Sequence, residues 1–383
     1  MASPLVAQPA DQGGVVPLPR RLVVKLGSNL LTDRKGQLDV RFLRRMVGEL
    51  ADLHAQGRDL VVVSSGAVAA GRPAFASLAS RHDIPARQML AAVGQVRLMG
   101  AYARLFGRRG ITVGQALLAR SDIAERQGYL NARLALLGLL ERRMVPIINE
   151  NDVVAIDELK FGDNDNLAAV VAGLVDADLL VILTDIDGLY TADPRRDPTA
   201  TLIAQVTTLD ASVERLAGGT GSAHGTGGML TKVQAARVSA RAGIPMIIAN
   251  GRRPAVVGRA AAGEPVGTLF SASQDRPDAR RRWLAARVGA RGAVRVDAGA
   301  AQAIAQGGKS LLAAGVTDVE GRFGRGDPID VRAAGGATIA AGLTNYASSD
   351  LQRIRGAHSR QIEELLGYQY GDEVIHRNNL VVL

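Results

Sequence analysis

The chain has 383 residues, of which 47% are hydrophobic and 22% charged, and this length is enough for one large domain and a smaller one. It contains no cysteine, which excludes disulfides, thiolate nucleophiles and cysteine-ligated zinc sites. The formal charge of +9 is spread thinly along the chain, so it does not select RNA or DNA as a partner. The absence of cysteine favours a cytoplasmic location. No stretch reaches the roughly 18 consecutive apolar residues of a membrane helix, so we expect no membrane partner.

The N-terminal two thirds of the chain alternate between short apolar runs and longer amphipathic stretches. We predict a disordered extension over residues 1–20 and one α/β domain over residues 21–272, with a mostly parallel sheet built from repeated β-α-β units. The predicted strands are Leu22–Leu26, Leu60–Val63, Ile111–Gln115, Pro146–Ile148, Leu179–Leu183 and Pro245–Ala249. The predicted helices cover residues 40–57, 86–106, 127–143, 165–176 and 228–242.

The pattern changes after residue 272. Residues 273–289 are polar and charged, which is typical of a linker. Residues 290–370 hold short β-type segments separated by glycine and predict a compact β-rich domain, followed by a C-terminal tail over residues 371–383. The β-type segments are Ala293–Val296, Val316–Val319, Pro328–Val331 and Thr338–Ala341.

Two loops that follow predicted strands combine glycine with hydroxyl side chains. The first strand continues into Lys25, Gly27 and Ser28, and the second into Ser65 and Gly66. Backbone N–H groups in such loops can face an anion beyond the carboxyl ends of parallel strands. Each loop taken singly also has a plain interpretation as a strand-to-helix turn.

A third glycine-rich loop, Gly225–Lys232, opens a predicted helix. Lys232 is one of only five lysines among 46 basic residues, so a lysine at this place is not a default surface cation. Polyphosphate bound to the N–H groups of the helix start, with an added ammonium charge, explains the pattern. The alternative is a flexible loop before an ordinary helix. A second lysine in a glycine-containing loop, Lys25, favours phosphate binding over this alternative.

Other nucleotide and metal signatures fail. The segment Gly307–Ser310 imitates the end of a Walker A loop, but the required first glycine is Ala303. No G-x-G-x-x-G follows the first strand, so a nicotinamide dehydrogenase is not indicated. The five histidines are scattered, so a histidine-based metal site is not indicated, and we assign no protein side chain as a metal ligand.

Amides and carboxylates are concentrated in the middle of the chain. Asn149–Asp152 and Gly162–Asn166 bracket a short insertion, and together such side chains can bind both charged groups of a zwitterion. Thr184 and Asp185 end the Leu179–Leu183 run, where they could hold a nucleotide or a metal. Helix caps and turns are the alternative for each cluster taken alone.

Six of these segments, in this order along the chain, resemble the amino-acid kinase family, in the branch that phosphorylates the side-chain carboxylate of L-glutamate. They are Val23–Ser28, Ser64–Gly71, Ile148–Asp152, Gly162–Asn166, Leu183–Pro194 and Gly225–Lys232. The C-terminal part, with Gly321–Asp327, resembles a PUA domain. The resemblance implies a three-layer αβα sandwich, ATP and Mg²⁺ as cofactors, and formation of L-glutamyl 5-phosphate in the first step of proline biosynthesis.

The resemblance also implies a role for individual residues. Lys25, Lys232 and Asp165 would be catalytic, with Asp165 holding the two lysines. ATP would be bound by Lys25, Gly27, Ser28, Thr184, Asp185, Thr226, Gly227, Gly228, Met229, Leu230, Thr231 and Lys232. L-Glutamate would be bound by Ser65, Asn149, Asp152 and Asn164. Proline as inhibitor, a glutamyl-phosphate reductase as partner and a homo-oligomer are further expectations of the resemblance.

Two alternatives stay open. Another amino-acid kinase would act on N-acetylglutamate, aspartate or carbamate, although the paired Asn/Asp clusters and the C-terminal domain favour glutamate. An RNA-binding protein acting through the PUA domain would belong to a different class. The low aromatic content of 3% leaves few side chains for base stacking and weighs against it.

Overall fold

The computed structural model of the protein describes residues 18–75, 83–119, 123, 125–154, 164–218, 228–272 and 290–383. Its N-terminal domain is built on an eight-stranded sheet of order β3-β4-β2-β1-β5-β7-β8-β6. The strands are β1 (Arg21–Leu26), β2 (Asp59–Ser64), β3 (Val113–Leu118), β4 (Val145–Glu150), β5 (Leu179–Thr184), β6 (Gln205–Val206), β7 (Met246–Asn250) and β8 (Thr268–Phe270). All neighbours pair in parallel except β7 and β8.

Helices cover both faces of this sheet. They are α1 (Ser28–Leu31), α2 (Val40–Ala55), α3 (Ala67–Gly71), α4 (Ile84–Gly107), α5 (Arg126–Glu141), α6 (Asn164–Leu174), α7 (Ala211–Ala217), α8 (Met229–Arg241) and α9 (Val256–Ala261). The expected α/β fold, a three-layer αβα sandwich with a mostly parallel sheet, is confirmed.

Alternation along β1 explains the two cores. Leu22, Val24 and Leu26 pack with residues of α2, α4 and α9, whereas Val23 packs with residues of α5, α6 and α8 on the opposite face. Successive side chains of a strand point to opposite faces, so Lys25 lies on the same face as Val23. The first strand therefore sends its lysine toward the layer that holds α6 and α8.

The third strand begins two residues later than predicted. Ile111 was expected to start it, but the Ile111 N–H donates to the Phe106 carbonyl at 3.1 Å, and the Gly110 N–H donates to the Gly107 carbonyl. With Gly110 in the left-handed region at φ 70°, this is a Schellman closure of α4. Ile111 is buried as the apolar residue of that helix end, and the strand starts at Val113.

The C-terminal unit holds a five-stranded sheet of order β11-β9-β12-β13-β15 and a β10-β14 pair. Its strands are β9 (Gly292–Val296), β10 (Leu311–Leu312), β11 (Val316–Gly321), β12 (Pro328–Arg332), β13 (Thr338–Leu343), β14 (Glu373–Ile375) and β15 (Leu380–Val382). Its helices are α10 (Ala298–Gly307), α11 (Ser348–Ile354) and α12 (Ile362–Leu366). The expected small β-rich domain is confirmed.

The C-terminal end of the chain differs from its prediction. Residues 371–383 were predicted as a tail, but β15 pairs with β13, and β14 pairs with β10. Val374 and Ile375 are fully buried in the core of this unit, so the apolar residues of the segment complete the domain. The predicted linker, residues 273–289, and residues 1–17 of the predicted extension lie outside the described residues.

The Gly321–Asp327 loop of the C-terminal unit contacts helix α5 of the N-terminal domain. Asp327 forms an ion pair with Arg126 at 2.9 Å, and the Arg325 guanidinium donates to Asn131 at 2.6 Å. The same guanidinium stacks on Tyr370, 3.7 Å from the ring centroid. In the part of the chain that the structure describes, no helix combines the length and apolarity that crossing a bilayer requires.

Candidate active site

The candidate site lies at one edge of the large sheet. Strands β1, β2, β4 and β5 run in parallel, so their carboxyl ends meet at this edge together with the first residues of α6 and α8. In open α/β sheets, ligands bind at this edge. The residues singled out in the sequence therefore come from segments that are remote along the chain but adjacent in the fold.

Lys25, Asp165 and Lys232 form a buried charged cluster. The Lys25 Nζ atom is 2.6 Å from Oδ1 of Asp165, and the Lys232 Nζ atom is 3.0 Å from Oδ2. Asp165 is fully buried and the lysine side chains are 7% exposed, so the cluster is closed to bulk water except at its lysine ends. Two ammonium groups share one carboxylate, which leaves a local excess of positive charge.

Asp165 stays ionised in this position. Burial by itself would raise the pKa of Asp165, but attraction by Lys25 and Lys232 and their hydrogen bonds outweigh burial and hold the pKa well below its ordinary value. The residue also lies in the first turn of α6, where the helix dipole favours a negative charge. The carboxylate therefore remains a fixed negative partner for both lysines.

Helix α8 presents an uncapped start to this cluster. Gly228 is its N-cap and offers no side chain, while the Thr231 hydroxyl donates to Asp165 Oδ2 at 2.9 Å. A Cβ atom at Gly228 would have no neighbour within 4 Å among the described residues, which leave open space beside the first N–H groups of the helix. This space fits an anion bound by backbone N–H groups.

The loop after β1 packs tightly on β5. The Gly27 N–H donates to the Leu183 carbonyl at 3.1 Å, and a Cβ atom at Gly27 would lie 3.0 Å from that oxygen. Ser28, the next residue, is exposed. Glycine is therefore needed to bring the Lys25 loop against the end of β5.

Thr184 and Asp185 lie at the end of β5. The Thr184 hydroxyl donates to Asp185 Oδ1 at 3.1 Å, and the Asn29 amide donates to Asp185 Oδ2, also at 3.1 Å. Asp185 is exposed, so its carboxylate is oriented by neighbours while remaining open to a ligand. Sequence reasoning did not identify Asn29 as part of this group.

A second set of polar side chains lies on the β2 and β4 side. The Asn164 amide donates to the Ser64 carbonyl at 3.1 Å, to Ser65 Oγ at 3.0 Å and to Asn149 Oδ1 at 3.0 Å. Asn149 in turn donates to Gln95 Oε1 at 2.8 Å. The structure thus joins three of the four predicted substrate residues in one network and adds Gln95 from α4, which sequence reasoning missed.

Asp152, the fourth predicted substrate residue, lies just beyond β4, and among the described residues no hydrogen bond joins it to this network. Burial raises its pKa to about 6, while the positive charge of Arg87 on α4 acts in the opposite direction. A nearby cation stabilises the ionised form of such a buried carboxylate.

The structure places the remaining predicted residues as follows. Met229 and Leu230 lie in the first turn of α8, and Leu230 is 40% exposed. Thr226 and Gly227 lie outside the described residues. Within the described ranges, no group of three or more His, Asp or Glu side chains is arranged to hold a metal ion.

Known protein families match both the N-terminal and the C-terminal part of the chain. The model of the amino acid kinase family matches residues 20–250, and that of the PUA domain matches residues 292–366. The glutamate 5-kinase of Dehalococcoides mccartyi (strain CBDB1) is 48% identical over 367 residues, which cover 95% of this chain and 98% of that protein. The glutamate 5-kinase of Trichlorobacter lovleyi is 49% identical over 370 residues, covering 97% and 98%. The glutamate 5-kinase of Herpetosiphon aurantiacus is 49% identical over 361 residues, covering 94% and 98%.

Proposed function

Because this chain belongs to the amino acid kinase family, we propose that it transfers the γ-phosphoryl group of ATP to the side-chain carboxylate of L-glutamate. The product is L-glutamyl 5-phosphate, and the reaction is the first step of proline biosynthesis. Relatives that align over almost their whole length carry the name glutamate 5-kinase, which supports this acceptor. The observation that carries the proposal is the pair of buried lysines on Asp165, between a helix start and a network of amides.

The main difficulty of the reaction is charge. A glutamate carboxylate with a pKa near 4.3 is ionised at neutral pH, so no general base is required, and no histidine need be present. The anionic acceptor must approach an anionic triphosphate, and the transferred oxygens carry charge in the transition state. Lys25 and Lys232 supply two positive charges in a water-poor position, which is where electrostatic stabilisation is strongest.

The donor nucleotide is assigned to the α8 side of the cluster. The open start of α8 at Gly228 and the start of α1 at Ser28 offer N–H groups to its phosphates, while Gly27 holds the Ser28 loop against β5. Thr184 and Asp185 border the same edge. The remaining residues proposed on this side are Thr226, Gly227, Met229, Leu230 and Thr231. Mg²⁺, when bound with the nucleotide, supplies additional positive charge to the phosphates, and the exposed Asp185 carboxylate is the nearby group suited to its hydration shell.

The acceptor is assigned to the amide network. Ser65, Asn149 and Asn164 provide neutral donors and acceptors, and Asp152 provides a carboxylate for the substrate ammonium group. Asn164 directly precedes Asp165, so the network adjoins the lysine cluster. A glutamate bound along the network can therefore present its side-chain carboxylate to the lysines.

Three further parts of the proposal rest on the family resemblance alone. They are inhibition by proline, assembly as a homo-oligomer and a cytoplasmic location. Delivery of the product to a glutamyl-phosphate reductase has chemical support in addition, because an acyl phosphate hydrolyses readily in water.

The test is an incubation with ATP, Mg²⁺, L-glutamate and hydroxylamine. Hydroxylamine traps an acyl phosphate, and we expect γ-glutamyl hydroxamate to form only when all components are present. Parallel reactions with N-acetylglutamate, aspartate and carbamate should give far slower ADP release. Hydroxamate or ADP formation that is faster with one of these acceptors than with L-glutamate would overturn the substrate assignment.

A further inference from the structure

Gln95, on helix α4, occupies a place in the acceptor network that no sequence motif marked. We propose that its side-chain amide binds the α-carboxylate of the acceptor amino acid and so determines which amino acids the site accepts. This inference rests on the proposed function and adds a specificity-determining residue to it.

The hydrogen bonds fix which atom of Gln95 is the nitrogen. The Glu150 N–H can only donate, and it lies 2.9 Å from Asn149, so the atom it contacts is Oδ1. The Asn149 amide nitrogen is then the atom that lies 2.8 Å from Gln95, and its partner there must be Oε1. Nε2 of Gln95 therefore points away from Asn149 with both of its N–H groups.

Nε2 of Gln95 is buried without a hydrogen-bond partner among the residues that the structure describes. A complementary acceptor exists at the other end of the network. Asn164 donates through Nδ2 to the Ser64 carbonyl, and its Oδ1 is likewise buried without a partner among the described residues. Buried polar groups are nearly always paired, so an unused donor and an unused acceptor in one network indicate a ligand that supplies both partners. An amino acid, with one carboxylate and one ammonium group, is such a ligand.

Backbone contact between two helices holds Gln95 in this position. A Cβ atom at Gly94 would lie 1.7 Å from the Ala67 carbonyl oxygen, and one at Gly71 would lie 2.0 Å from the Leu90 carbonyl oxygen. Helices α3 and α4 therefore touch through their main chains, which brings the residue after Gly94 to the loop that follows β2. A Gly inside a helix often marks a close approach of this kind.

Neighbours on the same face of α4 strengthen this placement. Gln88 and Tyr102 lie seven residues before and after Gln95, which corresponds to about two helical turns. Gln88 donates to the Val153 carbonyl at 3.0 Å, and the Tyr102 hydroxyl lies 2.8 Å from Ser64 Oγ. Helix α4 is thus joined to the site on both sides of Gln95. These contacts restrict the position of the Gln95 side-chain amide.

The order of the network indicates which carboxylate Gln95 binds. Asn164 adjoins Asp165 and its two lysines, where the carboxylate that accepts the phosphoryl group must lie. Gln95 is separated from Asn164 by Asn149, so it lies at the end of the network remote from the lysines. The carboxylate at this end is that of the amino-acid backbone.

Gln95→Glu separates this role from simple support of Asn149. The glutamate keeps an oxygen to accept from Asn149 but loses the N–H donor and repels a carboxylate. The α-amide of L-glutamate, which keeps the side-chain carboxylate, is the matched ligand, because its amide N–H can donate to the new carboxylate. Affinities of both compounds would be measured by calorimetry at pH 8 without ATP, so that binding is read independently of turnover.

We expect the wild-type protein to bind L-glutamate at least ~10-fold more tightly than the α-amide, and Gln95→Glu to lower this ratio by at least ~10-fold. The KM for ATP should change by less than about twofold. Gln306→Glu is the control, because exposed Gln306 on α10 also accepts from a neighbouring amide, at 3.3 Å. It should leave the ratio unchanged. Gln95→Met, which removes both polar atoms, should weaken L-glutamate binding at least as much as Gln95→Glu does.

An unchanged ratio in a folded Gln95→Glu protein, with loss only in Gln95→Met, would overturn the inference and leave Gln95 as a support for Asn149. Equal weakening of both ligands would overturn it as well. Failure of the wild-type protein to form γ-glutamyl hydroxamate would instead count against the proposed phosphoryl transfer, and the binding ratios would still decide the role of Gln95.

Discussion

Lys25 and Lys232 approach opposite oxygens of one buried carboxylate, that of Asp165, at 2.6 and 3.0 Å. Like charges held this close repel one another, so the arrangement depends on the negative charge between them. When a phosphoryl group carries further negative charge to the same place, both ammonium groups gain a second partner. The cluster is therefore most stable when the reacting group is present.

The first prediction concerns Lys232. Lys232→Ala keeps the helix propensity of α8 and the Lys25–Asp165 pair, but it removes one of the two charges that face the migrating group. We expect kcat to fall by about 10²-fold or more, with a smaller change in the KM for L-glutamate. Initial rates of hydroxamate formation and a thermal unfolding curve would measure this. Lys309→Ala, at an exposed lysine of the C-terminal unit, is the control and should keep wild-type rates. A folded Lys232→Ala protein with near-normal kcat would remove this lysine from the mechanism.

The second prediction concerns stability. Asp165→Asn leaves two buried ammonium groups without their counter-charge, and loss of one partner from a buried ion pair costs about 3–5 kcal/mol. We expect the free energy of unfolding in urea at pH 7 to fall by about this amount. Addition of ATP should restore stability in the variant more than in the wild-type protein, because the nucleotide brings negative charge. A variant as stable as wild type without ligand would show that the lysines are not held by this carboxylate.

The third prediction follows from the lowered pKa of Asp165. A carboxylate whose pKa is lower in the folded state stabilises the fold above its unfolded pKa of about 4, and this contribution is lost as pH falls toward the folded value. The difference in unfolding free energy between wild type and Asp165→Asn should therefore be constant from pH 5 to 7 and shrink as pH falls below about 4. Urea titrations at several pH values would measure it. If the difference in unfolding free energy stayed constant below about pH 4, the pKa of Asp165 would not be lowered in the folded state.

The fourth prediction concerns Asp152, whose pKa burial raises to about 6. Only the ionised form can pair with the substrate ammonium group, so kcat/KM for L-glutamate should rise with pH through this value. Asp152→Asn should have a lower kcat/KM for L-glutamate and lack this pH dependence, while the KM for ATP changes little. Equal losses for both substrates would indicate a structural Asp152 instead.

The fifth prediction concerns Gly228. Its φ of −72° suits alanine, and a Cβ atom there meets no described residue within 4 Å. Gly228→Ala should therefore change stability by less than about 1 kcal/mol, yet its methyl group narrows the space beside the first N–H groups of α8. We expect the KM for ATP to rise roughly 10-fold, equivalent to about 1.4 kcal/mol. Gly258→Ala on α9 is the control, because a Cβ atom there also meets no described residue within 4 Å, and it should leave the KM for ATP unchanged. An unaffected KM for ATP in Gly228→Ala would place the phosphates elsewhere.

Much of the fold was accessible from the sequence because buried parallel strands are continuous apolar runs. Leu22–Leu26 and Leu179–Leu183 lie within β1 and β5 almost residue for residue. The start of β3 was misplaced because Ile111 is apolar for a different reason, the closure of a helix end. The pairing of β15 with β13 was missed because three apolar residues at a chain end give no periodicity to read.

The site could be predicted only where loops carry distinctive residue types. Lys25, Asp165 and Lys232 stand in glycine- or amide-rich segments, and the fold brings their side chains together. Gln95 stands in the middle of a helix with ordinary amphipathic spacing, and its position depends on a main-chain contact with α3. The adjacent Gly94 was the one local signal that this helix approaches another backbone closely.

The contact of Arg325 and Asp327 with helix α5 has a consequence for any nucleic acid that approaches the C-terminal unit. The Arg325 guanidinium already lies on Tyr370 and donates to Asn131, and Asp327 holds Arg126. A phosphate that took this guanidinium as its partner would compete directly with the link between the two domains. Occupancy of this loop by RNA and docking of the domains through it would therefore be mutually exclusive states.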